Sequence, residues 1–89
     1  MQTILVIDDD DSLRDTIGLM LENEGFHPIL VADGATGLEQ ALALRPNLIL
    51  VDLRMPGLSG VEVCKRLRGA GKAFIFHDHE FPKADIRVD

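Results

Sequence analysis

The sequence predicts an α/β fold built as a doubly wound parallel sheet. Three observations carry this expectation. Two short runs of mostly branched apolar residues, Ile4-Leu5-Val6-Ile7 and Leu48-Ile49-Leu50-Val51, have the length and composition of strands buried on both faces. Segments with a helical spacing of apolar residues lie between and after these runs. Each run also ends in aspartate, Asp8 and Asp9 after the first and Asp52 after the second. That position is the carboxyl edge of the sheet, where open α/β sheets bind their ligands.

The elements follow in order. Residues 3–7 form the first strand. Asp10 or Asp11 caps a helix that runs to about Glu24, with Leu13, Ile17, Met20 and Leu21 on one face. Gly25 ends it in the C′ position, and Phe26 supplies the apolar contact that often follows. The second strand is His27 to Val31, and Pro28 suits its start or a sheet edge. Asp33-Gly34 turns the chain into a second helix, with Ala35, Leu38, Ala41 and Leu42 inward, and Pro46 stops it. The third strand is Leu48 to Asp52. After the loop Leu53-Arg54-Met55-Pro56-Gly57-Leu58, Ser59 and Glu62 have capping-box spacing. A third helix follows, with Val63, Cys64 and Leu67 facing in, and ends at Gly69. Ala73 to Phe76 reads as a fourth strand, and residues 77–89 show no helical period. Alternating strands and helices imply right-handed crossovers. With the proline-bearing second strand at an edge, the order is 2-1-3-4. The switch point then falls between strands one and three, at the three aspartates.

Composition bounds the function. The 89 residues suit one domain. A net charge of −6 argues against direct binding to nucleic acid or to an anionic membrane, since both need a basic surface. The basic stretch Lys65-Arg66-Leu67-Arg68 with Lys72 reads as a helix C-terminus, where cations suit the macrodipole. A single cysteine, Cys64, excludes an internal disulfide, fits a reducing compartment and belongs to a helix core. No signal peptide or apolar run approaching the ~20 residues of a membrane span is visible, so the cytoplasm is the expected location. His77, Asp78, His79 and Glu80 offer transition-metal ligands, but a solvated polar tail is the preferred reading.

The aspartates carry the chemistry. Taken singly, Asp9, Asp10 and Asp11 read as helix-capping residues. Asp52 has no such role, because Pro56 and the capping box place the next helix start later. If strands one and three are neighbours, three carboxylates converge. Two like charges ~4 Å apart repel by about 4 kcal/mol at an effective dielectric of 20. A small domain has only ~5–15 kcal/mol of stability in total. The cluster therefore calls for protonation or a hard cation such as Mg2+. Asp52, alone on its strand beside a loop, is the candidate nucleophile towards a phosphoryl group, and Asp8 and Asp9 the metal-holding pair.

These residues resemble the response-regulator receiver domains of two-component signalling. The resemblance rests on Ile4-Leu5-Val6-Ile7-Asp8-Asp9-Asp10, on Leu48-Ile49-Leu50-Val51-Asp52-Leu53-Arg54-Met55-Pro56-Gly57, and on Ser59-Gly60-Val61-Glu62-Val63-Cys64. It covers about residues 1–70. It implies a flavodoxin-like sheet and a phosphoryl group passed to Asp52 from a sensor histidine kinase or a histidine phosphotransfer protein. It also implies Mg2+ held by Asp8, Asp9, Asp52 and the backbone carbonyl of Arg54, with Pro56 and Gly57 shaping the loop. The protein is expected to be a phosphoacceptor and not an enzyme. A phosphohydrolase reading is disfavoured, because Arg54 stands where a second general acid would be needed.

The sequence also departs from that family. Receivers carry Thr or Ser at the end of the fourth strand, where this chain has Phe76 followed by His77-Asp78-His79. Receivers place Lys before Pro at the end of the fifth strand, whereas Phe81-Pro82-Lys83 has the reverse order. There is no room for the usual fourth helix, fifth strand and fifth helix. The expectation is a truncated receiver, residues 1–76, followed by a divergent tail, 77–89. The open sheet edge is expected to drive self-association. The alternative function is a degenerate receiver that acts only as an interaction or dimerisation module.

Overall fold

A computed structural model of the protein describes residues 2–53, 55–67, 73–77 and 85–88. The elements are β1 (Thr3–Ile7), α1 (Asp11–Asn23), β2 (His27–Val31), α2 (Gly34–Leu44), β3 (Leu48–Asp52), α3 (Gly60–Leu67), β4 (Ala73–His77) and β5 (Asp85–Val88). They form one sheet of order β2-β1-β3-β4-β5, with β1 to β4 parallel and β5 antiparallel to β4. The 2-1-3-4 core of the flavodoxin-like fold is therefore present, with β1 and β3 adjacent at the centre.

Local chemistry explains the element ends. The Asp10 carboxylate accepts from the Leu13 N–H at 3.0 Å and starts α1. Gly25 ends that helix at a φ of 87°, a left-handed value that glycine adopts without strain. The Phe26 N–H then closes onto the Leu21 carbonyl at 3.0 Å. Asp33 caps α2 through the Thr36 N–H at 2.7 Å. The Ser59 hydroxyl accepts from the Glu62 N–H at 3.2 Å and starts α3.

The main core lies on the sheet face covered by α2 and α3. Leu5, Ile7, Ile49 and Val51 are fully buried there against Ala41, Met55, Val63, Cys64 and Leu67. The parallel registers put Ile4, Val6, Leu48 and Leu50 on the opposite face. There α1 lies over β1 and β2, so Ile4 and Val6 are buried while Leu48 and Leu50 are only half-buried.

Four sequence expectations need correction. Met20 and Leu42, expected inward, are 61% and 57% exposed, and Ala35 is exposed as well. Gly18 in α1, and Gly34 and Gly37 in α2, are buried instead. An added Cβ on Gly18 would lie 2.9 Å from Leu30 Cδ1, and one on Gly37 would lie 2.5 Å from Ile7 Cδ1. At Gly37 the helix sits so close to the fully buried Ile7 that hydrogen is the side chain that fits, whereas at Gly18 the contact is with the end of the partly exposed Leu30. Met55, in the loop after β3, is buried in the core.

The fourth correction concerns the C-terminal segment. His77 belongs to β4, and Asp85–Val88 forms β5, where the sequence suggested no element. Four residues are too few to display a period, and an antiparallel neighbour needs no crossover helix to announce it. The β4 edge, expected to be open, is paired with β5, so the sheet edges are β2 and β5. The third helix was expected to end at Gly69; that position, like residues 78–84, lies outside the described residues.

Candidate functional site

The site is built where β1 and β3 end side by side. Asp8 is fully buried. Its N–H donates to the Val31 carbonyl at 3.1 Å, and its Oδ1 accepts from the Asp10 N–H at 2.9 Å. Asp9 follows it and is exposed. Arg14, one turn into α1, reaches back so that Nη1 donates to the Asp8 carbonyl at 2.9 Å. Its Nη2 donates to Asp11 Oδ1 at 2.5 Å.

On the other strand Asp52 is also fully buried. Two glycines bring helix starts against the loop that follows it. An added Cβ on Gly60 would lie 1.9 Å from the Asp52 carbonyl oxygen, and one on Gly34 would lie 2.2 Å from the Leu58 carbonyl oxygen. No real side chain tolerates either distance, so α3 and α2 begin against this loop only because both residues are glycine. Gly57 turns the loop at a φ of 75°, and Met55 anchors it in the core.

Asp8, Asp9 and Asp52 each offer a carboxylate oxygen, and these oxygens lie within 4.8 Å of one another. The sequence-predicted triad therefore converges. At that separation two charges repel by roughly 3.5 kcal/mol at an effective dielectric of 20, with less between the exposed Asp9 and its neighbours. Three hard oxygen donors in a small space suit a divalent cation such as Mg2+, which accepts one or two carboxylates and keeps several waters. Arg54, whose carbonyl was the fourth expected ligand, lies outside the described residues, as do Asp78, His79 and Glu80. The backbone register places His77 of β4 opposite Asp52.

Sequence reasoning missed three contributors. Arg14 carried a readable signal, since its spacing from Asp11 allows an i, i+3 ion pair. The close approaches at Gly34 and Gly60 left none beyond the glycines themselves.

Comparison with known proteins points to the same architecture. The family described as response regulator receiver domain matches residues 4–76. The DNA-binding response regulator MtrA of Mycolicibacterium smegmatis is 45% identical over 67 residues, which are 75% of this chain and 29% of MtrA. The chain thus spans less than a third of the length of this curated relative. The crystal structure of the response regulator TrrA from Thermotoga maritima, in complex with Mg2+–BeF, superposes with a TM-score of 0.84 at 29% identity, covering 88% of this chain and 70% of that one. The chemotaxis protein CheY4 of Vibrio cholerae superposes with a TM-score of 0.80 at 28% identity, covering 85% and 67%. Among the described residues no helix is long and apolar enough to cross a membrane. With its central strand order, its aspartate-ended strands and a profile match over most of its length, the chain belongs to the response regulator receiver domain family of two-component signalling.

Proposed function

We propose that Asp52 accepts a phosphoryl group from a phosphohistidine on a sensor histidine kinase or a histidine phosphotransfer protein. One observation carries this reading: a fully buried aspartate at the end of β3, with the carboxylates of Asp8 and Asp9 within 4.8 Å. An Asp52 carboxylate oxygen forms the O–P bond as the N–P bond of the donor breaks. The bonding electron pair returns to the imidazole of the donor. Asp8, Asp9 and Asp52, with the carbonyl of Arg54, are the residues that would hold Mg2+. When bound, that ion offsets the carboxylate charge and neutralises charge on the transferring oxygens. The chain is then the acceptor in a transfer, not an enzyme that turns over a separate substrate, and its setting is the cytoplasm. The likeness to a receiver crystallised with Mg2+–BeF supports the reading.

The test is incubation with Mg2+ and a small phosphodonor such as acetyl phosphate, followed by intact-protein mass spectrometry. One added phosphoryl group is expected, and none in Asp52→Asn. Absence of any adduct across donor concentrations sinks the proposal. Metal binding has its own readout. At a hundredfold excess over Kd the ion should raise stability by about 2.7 kcal/mol, seen as a higher Tm that Asp8→Asn reduces.

A further inference from the structure

We propose that Arg14 is a positioning residue for the acidic site. It fixes the peptide unit that joins Asp8 to Asp9, and through it the directions of two of the three carboxylates. This rests on the phosphoacceptor reading above for its functional meaning.

The ladder of β1 with both neighbours ends at Ile7. The Asp8 carbonyl therefore lies just past the sheet, on a residue that is fully buried. A backbone carbonyl in such a place needs a donor. The Arg14 guanidinium supplies one, with Nη1 at 2.9 Å. The bond is charge-assisted and so stronger than a neutral one. Arg14 is itself mostly buried, its side chain 16% exposed, whereas its ion-pair partner Asp11 is 84% exposed.

A peptide unit is planar. Holding the Asp8 oxygen therefore also holds the Asp9 nitrogen and the line between the two Cα atoms. Asp8 has a second restraint, since its Oδ1 accepts from the Asp10 N–H at 2.9 Å. Together the two bonds tie down the turn from β1 into α1, from which both carboxylates project. Asp11 completes the arrangement by engaging the other branch of the guanidinium. A surface ion pair of this kind adds little stability by itself. Its effect is to orient the fork, so that one arm stays on the carbonyl. Lysine lacks the fork and offers a single charged centre in place of two fixed arms.

The experiment uses the full chain, labelled with nitrogen-15, first in metal-free buffer and then titrated with Mg2+. In Arg14→Ala the Asp9 and Asp10 amide resonances are expected to move before any metal is added. Mg2+ affinity should then fall about tenfold, the scale typical of groups that orient metal ligands. Arg14→Lys should recover part of that loss, and Asp11→Asn should show a smaller one. A clamp that only pins α1 to the sheet would lower Tm while leaving the Asp9 amide and the Mg2+ affinity unchanged, and that result overturns the proposal. If Arg14→Ala fails to fold, Arg14→Lys and Asp11→Asn decide the matter, and unchanged affinity in both overturns it. Should the wild type bind no Mg2+ while its Asp9 amide still shifts on loss of Arg14, the phosphoacceptor reading fails and the positioning role stands.

Discussion

The two faces of the sheet are packed to different standards. On the α2/α3 face Leu5, Ile7, Ile49 and Val51 are all fully buried, and two helices close over them. On the α1 face Ile4 and Val6 are buried, but Leu48 and Leu50 are half-exposed, and Leu30, Leu19 and Met20 reach solvent. One face therefore holds most of the apolar burial that stabilises the domain. Asp8 and Asp52 sit where β1 and β3 end, beside the loop that the α2/α3 side holds. There, tight glycine contacts leave the loop after β3 little room to relax.

Paired substitutions can break this contrast. Leu5→Ala, on the dense face, should cost about 2–5 kcal/mol, through lost burial plus the cavity left behind. Leu50→Ala, on the opposite face, should cost only about 1–2 kcal/mol, because its side chain is already partly hydrated. Urea titration of both variants is the measurement. Equal losses would show that the faces contribute alike.

A second pair adds atoms instead of removing them. Gly37→Ala would drive a methyl group against three side-chain atoms of the fully buried Ile7, at 2.5 to 3.0 Å. A loss of about 1–3 kcal/mol is expected, as for overpacking in a close-packed core. Gly18→Ala meets Leu30 at 2.9 Å, but the end of that side chain is partly exposed and can turn aside. Replacing a helical glycine by alanine is itself favourable by about 0.5–1 kcal/mol. The net change at Gly18 should thus be near zero or slightly stabilising in a thermal melt. A large loss there would mean that the α1 face is as rigid as its counterpart.

The smallest expected effect lies at the start of α2. The Thr36 N–H, then its hydroxyl, holds the Asp33 carboxyl below its ordinary value of 3.8. The native state therefore favours the ionised form. The resulting stability is present above the ordinary value and is lost as pH falls through the folded one. Asp33→Asn keeps a cap without the titration. It should match wild type near neutrality and decline less steeply below pH 3.8. Parallel acid-melting curves would remove Asp33 from the account.

Much of this was legible in the sequence, and what was not has a common cause. The strands β1, β2 and β3, their order and the meeting of Asp8, Asp9 and Asp52 could be read because each rests on a short local pattern and one handedness rule. The inward faces of α1 and α2 were misjudged at Met20, Ala35 and Leu42. Periodicity looks for apolar side chains at the contact, whereas the real contacts are made through Gly18, Gly34 and Gly37, which have none. Arg14 was passed over because its partner is a backbone carbonyl, and every residue has one of those. Pairing of β5 with β4 depends on a segment of four residues, below the length at which alternation can be distinguished from chance.

The central place of β1 has a consequence for biosynthesis. Ile4 is made 44 residues before its partner Leu48, roughly 2–9 s at 5–20 residues per second. For the first 24 residues of that interval the stickiest tetrapeptide of the chain has no ladder partner, and after that it has only β2. Long-range pairing of this kind slows folding and exposes the nascent chain to aggregation. Yield in the cell should therefore respond to translation speed across residues 8–48 more sharply than to changes downstream.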